Sequence, residues 1–431
     1  MTDPRRLESE HPTFAGMRVV LDARSLQEAD RAPTSAVYLG ELLAAFARSP
    51  QEGESFVFLL RSDLPDPTRE LTDIEVIGRR LLPPTRALRS GSLTIDPFLI
   101  GGAAVGAAWR AERGGAAGAV HHALGGAVPA FSRIPVVATL LDLAPWERPE
   151  TFQRGMSARI GQRLRAGLLR DAAAVIVGSA AAATETRRLL HLRRGRIHVV
   201  PLAPRAAFRA GPGPTTGHEA GREPPAESIA EARRLGLSRR YLVYPGRFDA
   251  RQDLATLLAA LAELAAAGRP ATLPADDPWP PRVVLVGASP DDRAAVARAA
   301  ARQGVGDALA YTPALEPRRL AALVRGARAV VLPVLSEAAG LPAIEAIAAG
   351  VPVIASSAGV LPEIVGSAGI LVEPRDPPRL AAAISTIVAD DDAYARLAAI
   401  ALDRSLAPTR TWDDVARETR AVYAAVGRAR D

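Results

Sequence analysis

Two glutamates with seven residues between them, Glu337 and Glu345, flank the run Gly340-Leu341-Pro342, and a guanidinium, Arg247, follows Gly246 earlier in the chain. A carboxylate is a strong acceptor for hydroxyl groups. Glycine lets backbone approach a ligand closely, and the N–H groups at a helix start attract phosphate. Carboxylates beside an anion site make chemical sense when one ligand carries both hydroxyls and phosphate. A nucleotide-sugar is such a ligand.

The surrounding sequence says how these residues are positioned. Residues 330–332 are short, apolar and β-branched, as in a strand buried on both faces, and 351–355 repeat the pattern. Between them, Pro342 suits the first turn of a helix and Gly350 stops it. Glu337 is therefore expected in a loop at the carboxyl end of a strand, with Glu345 about one turn into the next helix. Open parallel sheets bind ligands at that end of their strands. Gly246-Arg247-Phe248-Asp249 occupies the same kind of place, between a strand expected at 241–245 and a helix starting at Asp253.

The ordered match of Glu337, Gly340-Leu341-Pro342, Glu345 and Gly350-Val351-Pro352-Val353-Ile354-Ala355-Ser356 resembles the donor-site signature of a large family. Leu361-Pro362-Glu363-Ile364-Val365 and Leu371-Val372-Glu373-Pro374 continue it. The family is that of the retaining group 1 glycosyltransferases, glycogen-synthase-like and mannosyltransferase-like, with the GT-B fold. The resemblance implies an α/β chain of two Rossmann-like domains facing across a cleft, with a last helix that crosses back onto the first domain. It implies transfer of a sugar from a nucleotide diphosphate-sugar donor to a glycan or lipid-linked acceptor, with no metal and no cofactor. By the same resemblance Glu337 and Arg247 are the catalytic candidates, Glu337 at the donor sugar and Arg247 on the diphosphate. Gly246, Arg251, Gln252, Thr312, Gly340, Leu341, Pro342 and Glu345 are then donor-binding, Glu345 holding the ribose and Thr312 lying near the base.

Three positions depart from the family pattern. Gln252 stands where the family has a lysine, so the diphosphate loses a charge unless Arg251 turns inward. Ala32-Pro33-Thr34-Ser35-Ala36-Val37-Tyr38 replaces a glycine-rich loop, and proline both lacks an N–H and fixes φ. Leu141 replaces a histidine, and leucine can neither bond a hydroxyl nor move a proton. These departures keep a second reading open: a catalytically silent homologue that binds or scaffolds. An epimerase on the same architecture has only fold analogy behind it.

Composition narrows the classes further. The chain has 431 residues, more than one ordinary core, so domains are expected at 17–205 and 237–405, a linker at 206–236 and a closing helical segment at 406–431. It contains no cysteine, which removes disulfides and thiol chemistry. The net charge is +6 and every basic residue is arginine; the arginines are scattered and aromatics make up 4%, so nucleic-acid binding is not expected. The start is charged and lacks the apolar run of a signal peptide, which reads as cytoplasmic. Arg79, Arg80, Arg86 and Arg89 with Leu81, Leu82 and Leu88 form a basic patch that suits either a solvated face or peripheral contact with an anionic membrane. His121 and His122 are neighbours on an expected strand and point to opposite faces, and Ser179 reads as the N-cap of the helix at 180–190.

Along the chain, strands are expected at 17–22, 55–60, 75–77, 119–121, 136–139, 174–177, 196–201, 241–245, 282–286 and 308–311. Helices are expected at 35–48, 93–113, 157–170, 180–190, 253–267, 290–303, 378–389 and 411–428, and 318–325 leads into the stretch that holds Glu337. Strands alternating with helices imply parallel sheets.

Overall fold

The computed structural model describes residues 16–85, 91–102, 118–124, 127–209, 225–246, 248–407 and 410–427. The chain divides into two compact units, Met1–Pro201 with Trp412–Asp431, and Leu202–Thr411. Each is a parallel α/β sheet of the Rossmann kind.

The first unit is built on seven strands: β1 (Met17–Asp22), β2 (Ser55–Arg61), β3 (Val76–Leu82), β4 (Gly118–Leu124), β5 (Val136–Leu140), β6 (Ala174–Val177) and β7 (Ile197–Val199). Their order is β3-β2-β1-β4-β5-β6-β7, and each neighbouring pair runs parallel. The central strands are runs of Val, Leu and Phe buried on both faces, as parallel sheets require. β3 is longer than its three expected residues because it is an edge strand, whose alternating burial hides it from a search for apolar runs. On it, the Arg79 Nε lies 2.9 Å from Asp66 Oδ2 and 3.0 Å from Thr68 Oγ1, so this part of the basic patch is an ion pair along a sheet edge. Arg86 and Arg89 lie outside the described residues, as do residues 103–113 of the helix expected at 93–113; within its described part, Gly91–Thr94 and residues 96–102 are helical.

Helix α1 (Pro33–Arg48) begins at its proline, with Ala32 as N-cap. Pro33, Thr34 and Ser35 were expected in a loop; instead they are its first turn, because proline has the helical φ and needs no donor there. Helices α2 (Met156–Asp171) and α3 (Ala180–Leu190) follow, and Ser179 caps α3 by accepting from the Ala182 N–H at 3.0 Å.

The C-terminal helix, Trp412–Gly427, belongs to this first unit and packs on α1 and β4. Its Arg420 forks onto Glu54, Nε to Oε1 at 2.9 Å and Nη2 to Oε2 at 2.6 Å, with side chains 7% and 2% exposed. Charges this deep persist only when paired. Trp412 meets Tyr38 edge-on at 5.7 Å between ring centres. Tyr423 contacts His122 Nδ1 at 2.6 Å, while the other ring nitrogen lies 2.7 Å from Thr139 Oγ1.

The second unit has six strands, β8 (Leu242–Pro245), β9 (Val283–Val286), β10 (Leu309–Thr312), β11 (Ala329–Leu332), β12 (Val353–Ser356) and β13 (Gly369–Val372). The order is β10-β9-β8-β11-β12-β13, all parallel. Helix α4 (Ala226–Arg234) opens the unit inside the stretch expected as linker, whose residues 210–224 are not described. It is anchored by Glu231, 3% exposed, which receives Arg319 at 2.7 Å and Arg234 at 3.0 Å. The unit continues through α5 (Leu254–Ala267), α6 (Pro290–Arg302), α7 (Pro317–Arg325), α8 (Leu341–Ala348), α9 (Pro377–Ala389) and α10 (Asp391–Leu406). Asp253 stands at the N-cap of α5, but its carboxylate accepts from the Thr256 hydroxyl at 2.6 Å and makes no backbone cap. No helix among the described residues is long and apolar enough to cross a membrane.

The two adjacent histidines give the first unit a pH signature. Both are fully buried, and neither ring nitrogen of His121 has a hydrogen-bond partner. Burial lowers His121 to about 4; burial and then the neighbouring His121 lower His122 to about 3. Below the unfolded value near 6.5 the unfolded chain takes up protons that the fold refuses, so stability is full above that pH and falls on acidification toward the folded values. His121→Leu is expected to remove close to one proton from the slope of unfolding free energy against pH between about 4.5 and 6, roughly 1.4 kcal/mol per pH unit. Urea titrations of wild type and variant check it; identical slopes would mean the imidazole is hydrated in the fold.

Candidate functional site

In the second unit the strand order reverses between β8 and β11, the switch point at which α/β sheets leave a crevice. The loop after β8 carries Gly246 to Asp253 and the loop after β11 carries Pro333 to Gly340. Backbone bonds stitch them together: Asp253 N–H to the Pro333 carbonyl at 2.7 Å, and Leu335 N–H to the Arg251 carbonyl at 2.7 Å. Gln252 and Val334 form an antiparallel bridge between them. The fold thus brings Arg251 and Gln252 to the loop that holds Glu337. Arg247 lies outside the described residues.

Glu337 shapes its own loop. Its Oε1 accepts from the N–H groups of Ala339 and Gly340 at 3.0 and 2.9 Å. Its carbonyl accepts from Val360 N–H at 3.0 Å, and a Cβ on Gly359 would lie 1.9 Å from that oxygen. Gly340, at φ 67°, is the N-cap of α8, and a Cβ there would sit 2.1 Å from Ile364 Cδ1. Only glycine fits this turn. The helix start also differs from a row of open donors. The N–H groups of Ala339 and Gly340 point at Glu337, Pro342 has none, and those of Ala343 and Ile344 bond the Gly340 carbonyl. The Leu341 N–H is the donor this geometry leaves for a ligand.

Glu345 lies in the second turn of α8, in the otherwise apolar run Leu-Pro-Ala-Ile-Glu-Ala-Ile-Ala. Its side chain is 6% exposed and takes a two-pronged ion pair from Arg205, Nε to Oε1 at 2.5 Å and Nη2 to Oε2 at 2.8 Å. Burial pushes its carboxyl up, and Arg205 opposes that. Sequence reasoning missed Arg205, which is 140 residues away. The signal was indirect: a glutamate inside an apolar helix needs a cation.

Arg251 does not stand ready for an anion. It is buried, and its Nε lies 3.0 Å from both oxygens of Asp249, with Nη2 also on Asp249. Gln252 is half-buried, its amide oxygen accepting from the Tyr244 hydroxyl at 2.9 Å. Gly246, Gly287 and Thr312 sit side by side at the carboxyl ends of β8, β9 and β10, where Gly287 N–H bonds the Thr312 carbonyl at 2.9 Å. The Thr312 hydroxyl is turned onto the Pro313 carbonyl at 3.2 Å. In the first unit, Leu141 and both histidines are buried. No cluster of three or more His, Asp or Glu side chains among the described residues is arranged to hold a metal ion.

Residues 239–390 match the family model of the group 1 glycosyl transferases. No curated protein matches the sequence. Among solved structures, sucrose-phosphate synthase from Thermosynechococcus elongatus is 22% identical with a TM-score of 0.67, over 95% of this chain and 98% of that one. HepE of Anabaena, solved with UDP and glucose, is 17% identical with a TM-score of 0.66, over 95% and 99%. WaaG, a glycosyltransferase involved in lipopolysaccharide biosynthesis, is 16% identical with a TM-score of 0.62, over 94% and 99%. At these identities the likeness establishes the fold: two Rossmann-like domains of the GT-B class. The group 1 match covers β8 through α9, and therefore both stitched loops, Glu337 and Glu345.

The turn at Gly340 yields a direct test. Gly340→Ala is expected to cost at least about 2 kcal/mol, from left-handed strain and displacement of Ile364. Urea denaturation measures it. Wild-type stability in this variant would show that residue 340 does not adopt the left-handed turn.

Proposed function

We propose that this chain is a glycosyltransferase that moves a sugar from a nucleoside diphosphate-sugar to a glycan or lipid-linked acceptor, retaining the anomeric configuration. The observation that carries this is the joining of the β8 and β11 loops at the switch point, with Glu337 and Glu345 in the second of these loops and the helix after it. The group 1 match over residues 239–390 supports the reaction class, and HepE, solved with UDP and glucose, supports the donor class. The role of WaaG in lipopolysaccharide biosynthesis supports a glycan or lipid-linked acceptor.

In this reading Glu345 holds the ribose hydroxyls and Glu337 contacts the donor sugar near the anomeric carbon. Arg247 and the Leu341 N–H take the charge that develops on the departing diphosphate, a role assigned to them rather than to a metal. Gln252 donates to the same phosphates through its amide NH2, since its oxygen is engaged by Tyr244. Thr312 and the glycines beside it flank the base, and a working place in the cytoplasm belongs to the same reading.

A second reading, a silent homologue that binds the donor without turning it over, draws on one specific observation. Arg251 is paired with Asp249 and Gln252 is neutral, so the described part of the phosphate side offers no uncompensated cation. Incubation with uridine, guanosine and adenosine diphospho-sugars separates the two readings. Release of nucleoside diphosphate supports the enzyme, whereas tight binding without release, with and without glycan acceptors, supports the homologue. Glu345→Ala and Arg247→Ala are expected to weaken nucleoside diphosphate binding by about 10- to 100-fold in calorimetry, the loss of a charge-assisted hydrogen bond. Either variant binding as tightly as wild type, with an unchanged melting temperature, would remove that residue from the site.

A further inference from the structure

The first unit carries large apolar side chains where a helix surface is ordinarily polar. Helix α2 opens with Met156, 70% exposed, and one turn on Ile160 is 51% exposed. Arg159 and Arg163 share that face, since residues three and four apart on a helix are neighbours, and both are exposed. The opposite face of α2, with Gly161, Gln162, Arg165 and Leu169, is the buried one.

The apolar surface extends beyond α2. A Cβ on Gly161 would lie 2.5 Å from Leu93 Cβ, so the turn Gly91–Thr94 is seated on α2 beside Ile160. From that turn the chain passes directly into Ile95 and the helical segment 96–102, where Phe98 is 52% exposed. Phe131, 48% exposed, lies against the same segment, because a Cβ on Gly101 would be 3.2 Å from its ring. Exposed apolar side chains on three adjoining stretches mark an interaction surface.

The charge of this surface says what covers it. Residues 127–141 and 156–170 contain no acid, and the one acid in 91–102, Asp96, is buried with its Oδ2 2.5 Å from Arg24 Nη1. Arg133, Arg159 and Arg163 are exposed, and among the described residues no carboxylate pairs with them. The Arg159 Nε donates instead to the Gln153 carbonyl at 3.0 Å. By contrast, Arg188 is paired with Glu185 at 2.7 Å, and Arg79 of β3 with Asp66. A second copy of this chain would set the arginines against one another, because a two-fold interface presents the same surface from both sides. An anionic bilayer accommodates both features: the apolar side chains enter the boundary between headgroups and acyl chains, and the arginines meet lipid phosphates.

We propose that this face of the first unit, the start of α2 with Phe98 and Phe131, is a docking surface for an anionic lipid membrane. It is a different surface from the basic run expected at 79–89, whose Arg79 is neutralised within the fold. Docking there requires nothing of the second unit's site.

The test is co-sedimentation of the full chain with vesicles of phosphatidylcholine alone and of phosphatidylcholine mixed with phosphatidylglycerol, at low and high salt. Wild type is expected to partition onto the anionic vesicles about tenfold or more above the neutral ones, and salt is expected to shrink that preference by screening. Met156→Ser with Ile160→Ser, and separately Arg159→Gln with Arg163→Gln, are each expected to weaken binding to the anionic vesicles by about tenfold. Leu81→Ser, on the exposed face of β3, is expected to bind as wild type does. Every replaced side chain is exposed, so melting temperatures are expected to match wild type. No binding to anionic vesicles, or equal binding to both kinds, would overturn the membrane role. Wild-type binding by either double variant would overturn it too, as would a loss in Leu81→Ser as large as theirs, which would move the contact to the β3 edge. A dimer in light scattering that Met156→Ser with Ile160→Ser dissociates, with no vesicle binding, would make the face an interface between copies instead.

Discussion

The contact on which the second unit's site depends is the carboxylate of Glu337 folded back onto the N–H groups of Ala339 and Gly340. It closes a tight turn at the end of β11, and the left-handed glycine at 340 converts that turn into the start of α8. The turn is wedged from the other side by Gly359 and Val360 against the Glu337 carbonyl. Every later feature inherits its position from this one. Glu345 is placed by the helix that begins there, and the neighbouring loop of Arg251 and Gln252 is bonded to the residues just before it. Under the proposed function, an anion that took the Ala339 and Gly340 donors would do so at the expense of Glu337, so sugar and phosphate recognition would be coupled by a single side chain.

The first unit solves a different problem. Its sheet is covered in part by a helix from the far end of the chain, so its core is complete only with Trp412, Tyr423 and Arg420 in place. The polar groups this buries are handled in two ways. Arg420 and Glu54 compensate one another, and His122 is satisfied between Tyr423 and Thr139. His121 has neither remedy, and remains neutral in the fold as a consequence of burial.

Much of this was legible in the sequence, and the reasons are physical. Strands buried on both faces are apolar throughout, so 174–177 was read with the bounds of β6, and Gly and Pro marked the limits of the helices. What escaped has equally plain causes. β3 is an edge strand with one wet face. Helix α4 follows a Pro- and Gly-rich stretch that reads as linker, and α10 has alanine around most of its circumference, which blurs its periodicity. The Glu337 and Glu345 spacing was visible because its residues are local in the chain. Arg205 was invisible because a pair across 140 residues leaves no local pattern.

Local motifs specify which groups a site contains, but pairing specifies what charge it offers. Arg251 was a candidate for replacing the charge lost at Gln252, and its proximity in sequence made that plausible. Yet Asp249, only two residues away, claims it with a fork that leaves the side chain 10% exposed. An ion pair so close in sequence costs little chain entropy to form, so a distant diphosphate must outcompete it at a disadvantage. Gln252 in turn is held by Tyr244 at its oxygen and contributes a neutral donor. Under the proposed function, the positive potential for a diphosphate would then fall on Arg247 together with the Leu341 N–H. Such a site would tolerate loss of Arg251 better than loss of Arg247, the opposite of what equal arginines on one loop would give.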